Sequence, residues 1–247
     1  DVLAALSFLR EYLHPFLRVS RLPLLALALA LVLALAPAGA LHIPSIVSQS
    51  GISKPAALKL HEGIPAYCHA ENHTDYGSPI AFVWGATFIT TDAAECCEAC
   101  RRHNEVCMAG SHGKRFFNPS VRGEGICHDH KDEKGANVRC NAWVFCGEEQ
   151  CFSFDVHKHL RGECWLKYVK DPLNPSPWQG GKVPEQMRRA PRAQWPWAVS
   201  PKVWAGEMPE RVSWTAGVLA PKGAAVTHLP AHHFDWYTTF CRKHGCS

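Results

Sequence analysis

The chain has 247 residues, of which 47% are apolar, and a formal net charge of +4. These values are ordinary for one large globular domain or two small ones. The small positive charge gives no indication of a nucleic-acid partner. The sequence contains no G-x-S-x-G, H-E-x-x-H or P-loop motif, so none of these catalytic patterns indicates an enzyme, and no cofactor is expected.

The first forty residues have the pattern of a secretory leader. Two arginines precede an uncharged Leu/Ala run from Leu22 to Ala36, and small residues that fit a cleavage site follow it. We predict a signal peptide or signal anchor over residues 1–40 and a linker over 41–62. Without cleavage, the roughly 20 uncharged residues of 22–41 are long enough to anchor the chain in a membrane. In either case we expect the remainder to be secreted or on the extracellular face of the membrane.

The first predicted elements of the remaining chain are a strand and a helix. Residues 79–88 are apolar, aromatic and β-branched, which favours a strand. Thr91 or Asp92 is a good N-cap, and Glu95 follows Asp92 at the spacing of a capping box. The sequence therefore predicts a helix that begins at Thr91 or Asp92, runs to about His103 and stops near Asn104.

A polar, glycine-rich stretch follows over residues 104–139 and predicts a long surface insert. Loops of this length are uncommon unless they are functional or held in place, and Cys107 and Cys127 are positioned to hold this one. The other predicted segments are strands at 140–146 and 164–170, an extended proline-rich loop over 171–210, a returning strand within 211–219 and a tail over 221–247.

Ten of the twelve cysteines lie between Tyr67 and Trp165. An even number at this density is typical of disulfides formed in an oxidising compartment. Cys97 and Cys100 also form a C-x-x-C pattern, which in other contexts indicates redox activity or zinc. Redox pairs lie at a helix N-terminus, where the thiol pKa is lowered. Because this pair begins about five residues into the predicted helix, we interpret it as structural.

Three segments together resemble the PAN/Apple domain family. They are the capped helix "TTDAAECCEAC", the strand "CNAWVF" that begins at Cys140, and the closing "CWLK" that begins at Cys164. The resemblance implies an α+β fold: a small disulfide-rich domain over 63–220, with one helix packed on a short antiparallel sheet and with long loops. It further implies bonds between Cys96 and Cys164 and between Cys100 and Cys140.

The doubled cysteine and the "CGEEQC" segment look most like PAN-like modules of algal surface proteins, in which Cys146 would bond Cys151. Two alternatives stay open. Cys97 can replace its neighbour Cys96, and if it does not, Cys68 is its expected partner. The gap before Cys140 is longer than in the family, so Cys107 is a rival partner of Cys100; otherwise Cys107 and Cys127 remain for each other.

The resemblance implies a non-catalytic module that binds an extracellular protein or a glycan. The best candidate ligand site combines cations with indoles, which suit sulfate or carboxylate groups and sugar rings respectively. The competing interpretation, which we favour, is a proline-rich loop that tucks its tryptophans onto the sheet. The candidate residues are Arg188, Arg189, Arg192, Trp195 and Trp197.

An alternative function is a secreted metal-dependent hydrolase or zinc-binding protein that uses the His/Cys-rich insert. The segment "CHDH" begins at Cys127, with His112 nearby, but it lacks the paired spacing of a known zinc site. A second histidine group near residue 230 has the same weakness. We therefore assign no metal ligand.

Asn72 begins the only N-x-[ST] sequon that we identify as a glycosylation site. It lies in a polar segment ahead of the first predicted strand. Its modification would require passage through the secretory pathway.

Overall fold

The structure, a computed structural model, describes residues 63–195, 199–227 and 235–245. These residues belong to one compact unit, Pro55–Ser247, and the predicted leader and linker lie outside them. The helices and strands are β1 Glu71–Asn72, β2 Thr74–Tyr76, β3 Ile80–Val83, α1 Ala93–Val106, β4 Arg115–Phe117, β5 Gly125–Ile126, β6 Ala142–Cys146, β7 Gln150–Cys151, β8 His159–Leu160, β9 Cys164–Tyr168, β10 Pro177–Gly180, α2 Glu185–Arg188, β11 Trp214–Val218 and α3 Asp235–His244.

The central sheet has the order β1-β11-β6-β9-β3, and each neighbouring pair is antiparallel. Strand β6 is buried at every position because both faces of the sheet are covered. The predicted strands at 140–146, 164–170 and 211–219 are confirmed, and the last one returns to pair with β6. The fold is therefore α+β, with one long helix on a small antiparallel sheet.

Helix α1 begins where the capping residues predict. The Asp92 side chain accepts a hydrogen bond from the Glu95 amide at 2.8 Å, and the Glu95 carboxylate accepts from the Thr91 amide at 2.7 Å. These bonds satisfy amide groups that a helix leaves unpaired at its start. The helix ends about one turn later than predicted because the Asn104 side chain donates to the Cys140 carbonyl at 2.7 Å and holds the last turn against β6.

Five disulfides join pairs of described cysteines, and three of them fix α1. They are Cys68–Cys97, Cys96–Cys164, Cys100–Cys140, Cys107–Cys127 and Cys146–Cys151. Three of the bonds, Cys96–Cys164, Cys100–Cys140 and Cys146–Cys151, are the ones that the resemblance implies. Both alternatives are resolved, because Cys97 bonds Cys68 and Cys107 bonds Cys127. Eight of the ten sulfurs lie in the core between helix and sheet, which also contains Phe82, Trp143, Phe145 and Leu166. Those of Cys146 and Cys151 lie in the apolar cluster on the other face of the sheet.

The strand predicted at 79–88 is wrong beyond Val83. Residues 85–87 form a 3-10 turn, in which the Trp84 carbonyl accepts hydrogen bonds from the amides of Thr87 and Phe88. Gly85 packs directly against the Trp165 indole, and a Cβ at this position would overlap that ring. The close approach of Trp165 therefore requires a glycine, and the chain turns there.

The insert begins after α1 and is not entirely a surface segment. Phe116 on β4 is buried, and its ring lies 4.9 Å from that of His103, measured between centroids. The Glu95 carboxylate also accepts hydrogen bonds from the amide and hydroxyl of Ser120, at 2.7 and 2.6 Å. The helix cap thus holds the insert in place in addition to the Cys107–Cys127 bond.

The extended loop predicted over 171–210 is wrong in two places. Strand β10 pairs with β2, and α2 follows it. Met187 of α2 and side chains of the following loop, among them Val199 and Met208, form a separate apolar cluster. Phe240 of α3 is buried in the same cluster, so part of the predicted tail packs against this loop.

Candidate ligand-binding site

The second face of the central sheet carries a cleft of about 580 Å³. Side chains alternate along a strand, so Trp165 and Lys167 of β9 lie on the face opposite to Cys164 and Leu166. We call this cavity the tryptophan cleft. Its lining includes three indoles and four polar side chains: Trp165, Trp178, Trp214, Asp75, Asp155, His159 and Lys167.

The indoles differ in what they offer to a ligand. Trp214 is buried, and its Nε1 donates to the Phe152 carbonyl at 2.9 Å, so it forms the wall of the cleft. Trp178 is 44% exposed, and Trp165 is half-buried. A fourth indole, Trp84, is 63% exposed and extends the aromatic surface, with its ring 5.4 Å from that of Trp165.

A β-bulge brings Trp178 to the cleft. In the pairing of β10 with β2, Pro177 is opposite Tyr76 and Gln179 is opposite Asp75, so Trp178 is the additional residue. An additional residue bends the strand and redirects its side chain. The Trp178 side chain also packs on Gly77, where an ideal Cβ would lie 3.2 Å from the Trp178 Cβ.

A buried ion pair crosses one side of the cleft. The Lys167 ammonium donates to the Asp75 carboxylate at 2.7 Å and to the Tyr76 carbonyl at 2.8 Å. The other carboxylate oxygen of Asp75 accepts from the Gln179 amide at 3.3 Å. Because charges removed from water require hydrogen-bonded partners, this network fixes both side chains.

His159 lies on the other side between two carboxylates. Its Nδ1 is 2.8 Å from Glu163 Oε2, and its Nε2 is 3.3 Å from Asp155 Oδ2. Burial lowers the pKa of His159, but the hydrogen bond and charge of Glu163, together with Asp155, outweigh burial and raise the pKa above its ordinary value. When it is protonated, the ring donates to both carboxylates, and these two contacts fix its orientation.

The arginines predicted as ligand contacts line a different cavity, of about 760 Å³, which we call the arginine pocket. Arg192 donates to the carbonyls of Val199 and Gly206 and stacks on Trp195 at 4.4 Å, and Trp195 itself is buried. These two residues therefore hold the loop, as in the interpretation that we favour, although they pack on the separate apolar cluster and not on the sheet.

Arg188 and Arg189, which were also predicted to contact a ligand, line the arginine pocket as well. Arg189 pairs with Glu185 at 2.5 Å, and both side chains are exposed. The Arg188 Nε is buried and has no hydrogen-bond partner among the described residues. Trp197, the remaining predicted contact, lies outside the residues that the structure describes.

The histidines of the insert are dispersed in the structure. The rings of His112 and His128 lie 5.4 Å apart, His130 packs edge-on against Phe82, and Cys127 is bonded to Cys107. Within residues 63–195, 199–227 and 235–245, no group of three or more His, Cys, Asp or Glu has an arrangement that would hold a metal ion. The second histidine group, His228, His232 and His233, lies outside those ranges.

Asn72 lies on edge strand β1 and is half-buried. Its Oδ1 accepts a hydrogen bond from the Thr215 hydroxyl at 3.1 Å. The Thr74 hydroxyl of the sequon donates to the Asn72 carbonyl at 3.3 Å and is buried.

Comparison of the chain with known protein families, curated proteins and solved structures finds no match. The five disulfides suit an oxidising environment, extracellular or secreted. In the part of the chain that the structure describes, none of the helices has the length and apolar character needed to cross a membrane.

Sequence reasoning did not identify the tryptophan cleft. The sequence does contain a signal for two of its residues. In "CWLK", the alternation of side chains along a strand places Trp165 and Lys167 on one face and Cys164 on the other. No comparable signal exists for Trp178 or His159, since their place depends on pairings between distant segments.

Proposed function

We propose that this protein is a non-catalytic recognition module of the PAN/Apple type, secreted or held at the extracellular face of a membrane, and that it binds carbohydrate in the tryptophan cleft. The observation that carries the proposal is the cleft itself, in which two partly exposed indoles and fixed polar side chains share one concave surface. Binding sites of small ligands are commonly apolar cavities with a few well-placed polar groups.

The indoles and the polar groups serve different parts of a sugar. The flat faces of Trp165 and Trp178 offer apolar area to the C–H face of a sugar ring at a low cost in side-chain entropy. Asp75 and Asp155 offer carboxylate oxygens to hydroxyl groups. Because Asp75 and His159 are already fixed by their own partners, little ordering is needed when a ligand binds.

The type of module is supported by the stapled helix. Cys96 and Cys100 of α1 bond the two central strands in the manner that the PAN/Apple resemblance implies. The many disulfides support a place outside the cytosol. The leader-like segment, at residues 1–40, supports passage through the secretory pathway.

A glycan array followed by calorimetry on the full-length oxidised protein tests this function. We expect binding to at least one glycan and a loss of affinity of about tenfold, or about 1.4 kcal/mol, in Trp178→Ala. Met108→Ala is the matched control, because Met108 is 59% exposed and does not line the cleft. A protein that binds no glycan, or a Trp178→Ala variant with unchanged affinity, would contradict the proposal.

The arginine pocket supports a second ligand contact, for an acidic glycan. Arg188 and Arg189 line it, and the Arg188 Nε has a buried hydrogen that is free to donate among the described residues. We expect the double variant Arg188→Ala/Arg189→Ala to elute earlier from a heparin column than the unmodified protein, with Lys114→Ala/Arg115→Ala as a control of equal charge loss. Equal elution of the two variants would exclude the pocket.

Metal analysis of the same oxidised sample distinguishes the recognition module from the alternative function. A metal-dependent hydrolase or zinc protein would carry stoichiometric metal, whereas the recognition module needs none. Stoichiometric zinc together with free thiols in the insert would favour the alternative.

A further inference from the structure

The tryptophan cleft has an excess of negative charge. Three carboxylates line it or bond to its lining side chains, those of Asp75, Asp155 and Glu163. Among the described residues, the positive groups of the same network are Lys167 and, when protonated, His159. The exposed ring of His157 lies 4.0 Å from Asp155 Oδ1 and adds no charge when it is neutral. With His159 protonated and His157 neutral, three negative and two positive charges leave a formal charge of −1 in the cleft.

Both positive groups are already engaged. The Lys167 ammonium has a carboxylate at 2.7 Å and a carbonyl at 2.8 Å, and both ring nitrogens of His159 have carboxylate partners. An acidic sugar would have to compete with these carboxylates for each cation. Buried ion pairs resist such exchange, because breaking one leaves a charge without a partner.

Asp155 is the carboxylate that a ligand reaches most easily. Its side chain is 33% exposed, whereas those of Asp75 and Glu163 are 11% and 4% exposed. Its Oδ1 accepts hydrogen bonds from the amides of Val156 and His157, at 2.5 and 3.1 Å, so the group is held in one orientation. It therefore presents a fixed negative charge in the same cavity as the exposed indole faces.

Indole faces attract cations as well as apolar rings, because the π system places negative charge above and below the ring. A carboxylate and several indoles around one cavity are thus complementary to a cation that also has an apolar body. We infer that the cleft binds sugars that carry a protonated amine in preference to neutral sugars, and neutral sugars in preference to those with carboxylate or sulfate groups. This inference rests on the proposed function, since it names the class of sugar for the same cleft.

The experiment compares three oligosaccharides of equal length, built from glucosamine, N-acetylglucosamine and galacturonic acid. Calorimetry with the full-length oxidised protein at pH 6 measures the binding that is lost in Trp178→Ala, which isolates the cleft from the arginine pocket. We expect the glucosamine oligomer to bind about five- to tenfold more tightly than its N-acetylated form, and we expect no Trp178-dependent binding of the galacturonic acid oligomer.

Asp155→Asn tests the carboxylate directly. Asparagine keeps an oxygen for the amides of Val156 and His157 but removes the charge, so the preference for the amine should fall to about one- to twofold. Glu124→Gln is the matched control, because it removes one exposed carboxylate that does not line the cleft. A second readout needs no variant: raising the salt concentration from 50 to 300 mM should weaken glucosamine binding and leave N-acetylglucosamine binding unchanged, since salt screens exposed charges.

The possible outcomes distinguish a failure of the inference from a failure of the proposed function. Binding of none of the three sugars overturns the inference, and it overturns the proposed function as well when the glycan array also shows no binding. Trp178-dependent binding that favours galacturonic acid, or a preference that Asp155→Asn does not change, overturns the inference and leaves the proposed function standing. Binding of a lysine-rich peptide and of no sugar overturns both, because the ligand would then be a protein.

Discussion

The Cys96–Cys164 and Cys146–Cys151 bonds differ greatly in the length of chain that they close. Their sequence separations are 68 and 5 residues. In the loop-entropy relation these bonds restrict the unfolded chain by about 4.4 and about 2.2 kcal/mol at 25 °C. All four cysteines are buried, so replacing either pair with alanine removes similar packing. We therefore expect Cys96→Ala/Cys164→Ala to be less stable than Cys146→Ala/Cys151→Ala by about 1–2 kcal/mol, because the Cys100–Cys140 bond that remains shortens the loop that Cys96–Cys164 closes.

Urea unfolding of both variants at pH 7, with the remaining disulfides intact, measures this difference. The midpoint of thermal unfolding should differ by about 2–8 °C in the same direction, given a domain of this size. Equal stabilities, or a lower stability for the variant without Cys146–Cys151, would refute the reasoning from loop length. The first variant should also bind glycan more weakly, because Cys164 fixes the strand that carries Trp165.

Three further predictions concern single residues. Burial, reinforced by neighbouring positive groups, lowers the pKa of His103 to about 3, whereas the unfolded chain takes up this proton near pH 6.5. The free energy of unfolding should therefore fall by about 2 kcal/mol between pH 7 and pH 5 because of this group. Denaturant unfolding of His103→Phe should show a pH dependence that is smaller by this amount. Gly85→Ala should lower the free energy of unfolding by about 1–3 kcal/mol and change tryptophan fluorescence, because the added Cβ overlaps the Trp165 indole. Gly206→Ala is the control and should change neither quantity, because its Cβ meets only an ordinary contact at 3.6 Å. Protein from a eukaryotic secretion host should lose mass on enzymatic deglycosylation, and Asn72→Gln should abolish that loss; an unmodified Asn72 would contradict the sequon prediction.

The helix and its neighbouring strands could be predicted because their signals are local. The side chain of Asp92 bonds the Glu95 amide in the first turn of α1, and that of Glu95 bonds the Thr91 amide just before the helix, so neighbouring residues determine where the helix begins. The strand at 140–146 is short, aromatic and bounded by polar residues. The cysteine pairing needed more than spacing, because Cys96 and Cys97 differ by one residue and only the resemblance favoured Cys96.

The parts that could not be predicted depend on contacts between distant segments. Residues 171–210 are rich in proline and have short apolar runs, yet β10 forms there because β2 supplies its hydrogen-bond partners from about 100 residues away. Gly85 ends its strand because of Trp165, which is 80 residues later in the chain. The burial of Trp195 depends in the same way on the cluster that receives it.

The disulfides that join α1 to the sheet and the tryptophan cleft lie on opposite faces of the same strands. On β9, Cys164 faces α1 and Trp165 faces the cleft, and the period of two along a strand forces this separation. Each covalent bond between α1 and the central strands therefore lies on the helix side, and none crosses the cleft. A substitution at the cleft, such as Trp178→Ala or Asp155→Asn, should consequently change ligand preference while the disulfide-bonded core keeps its stability. Near-wild-type unfolding midpoints for both variants, together with altered binding, would bear out this division; a large loss of stability in either would show that the cleft also supports the fold.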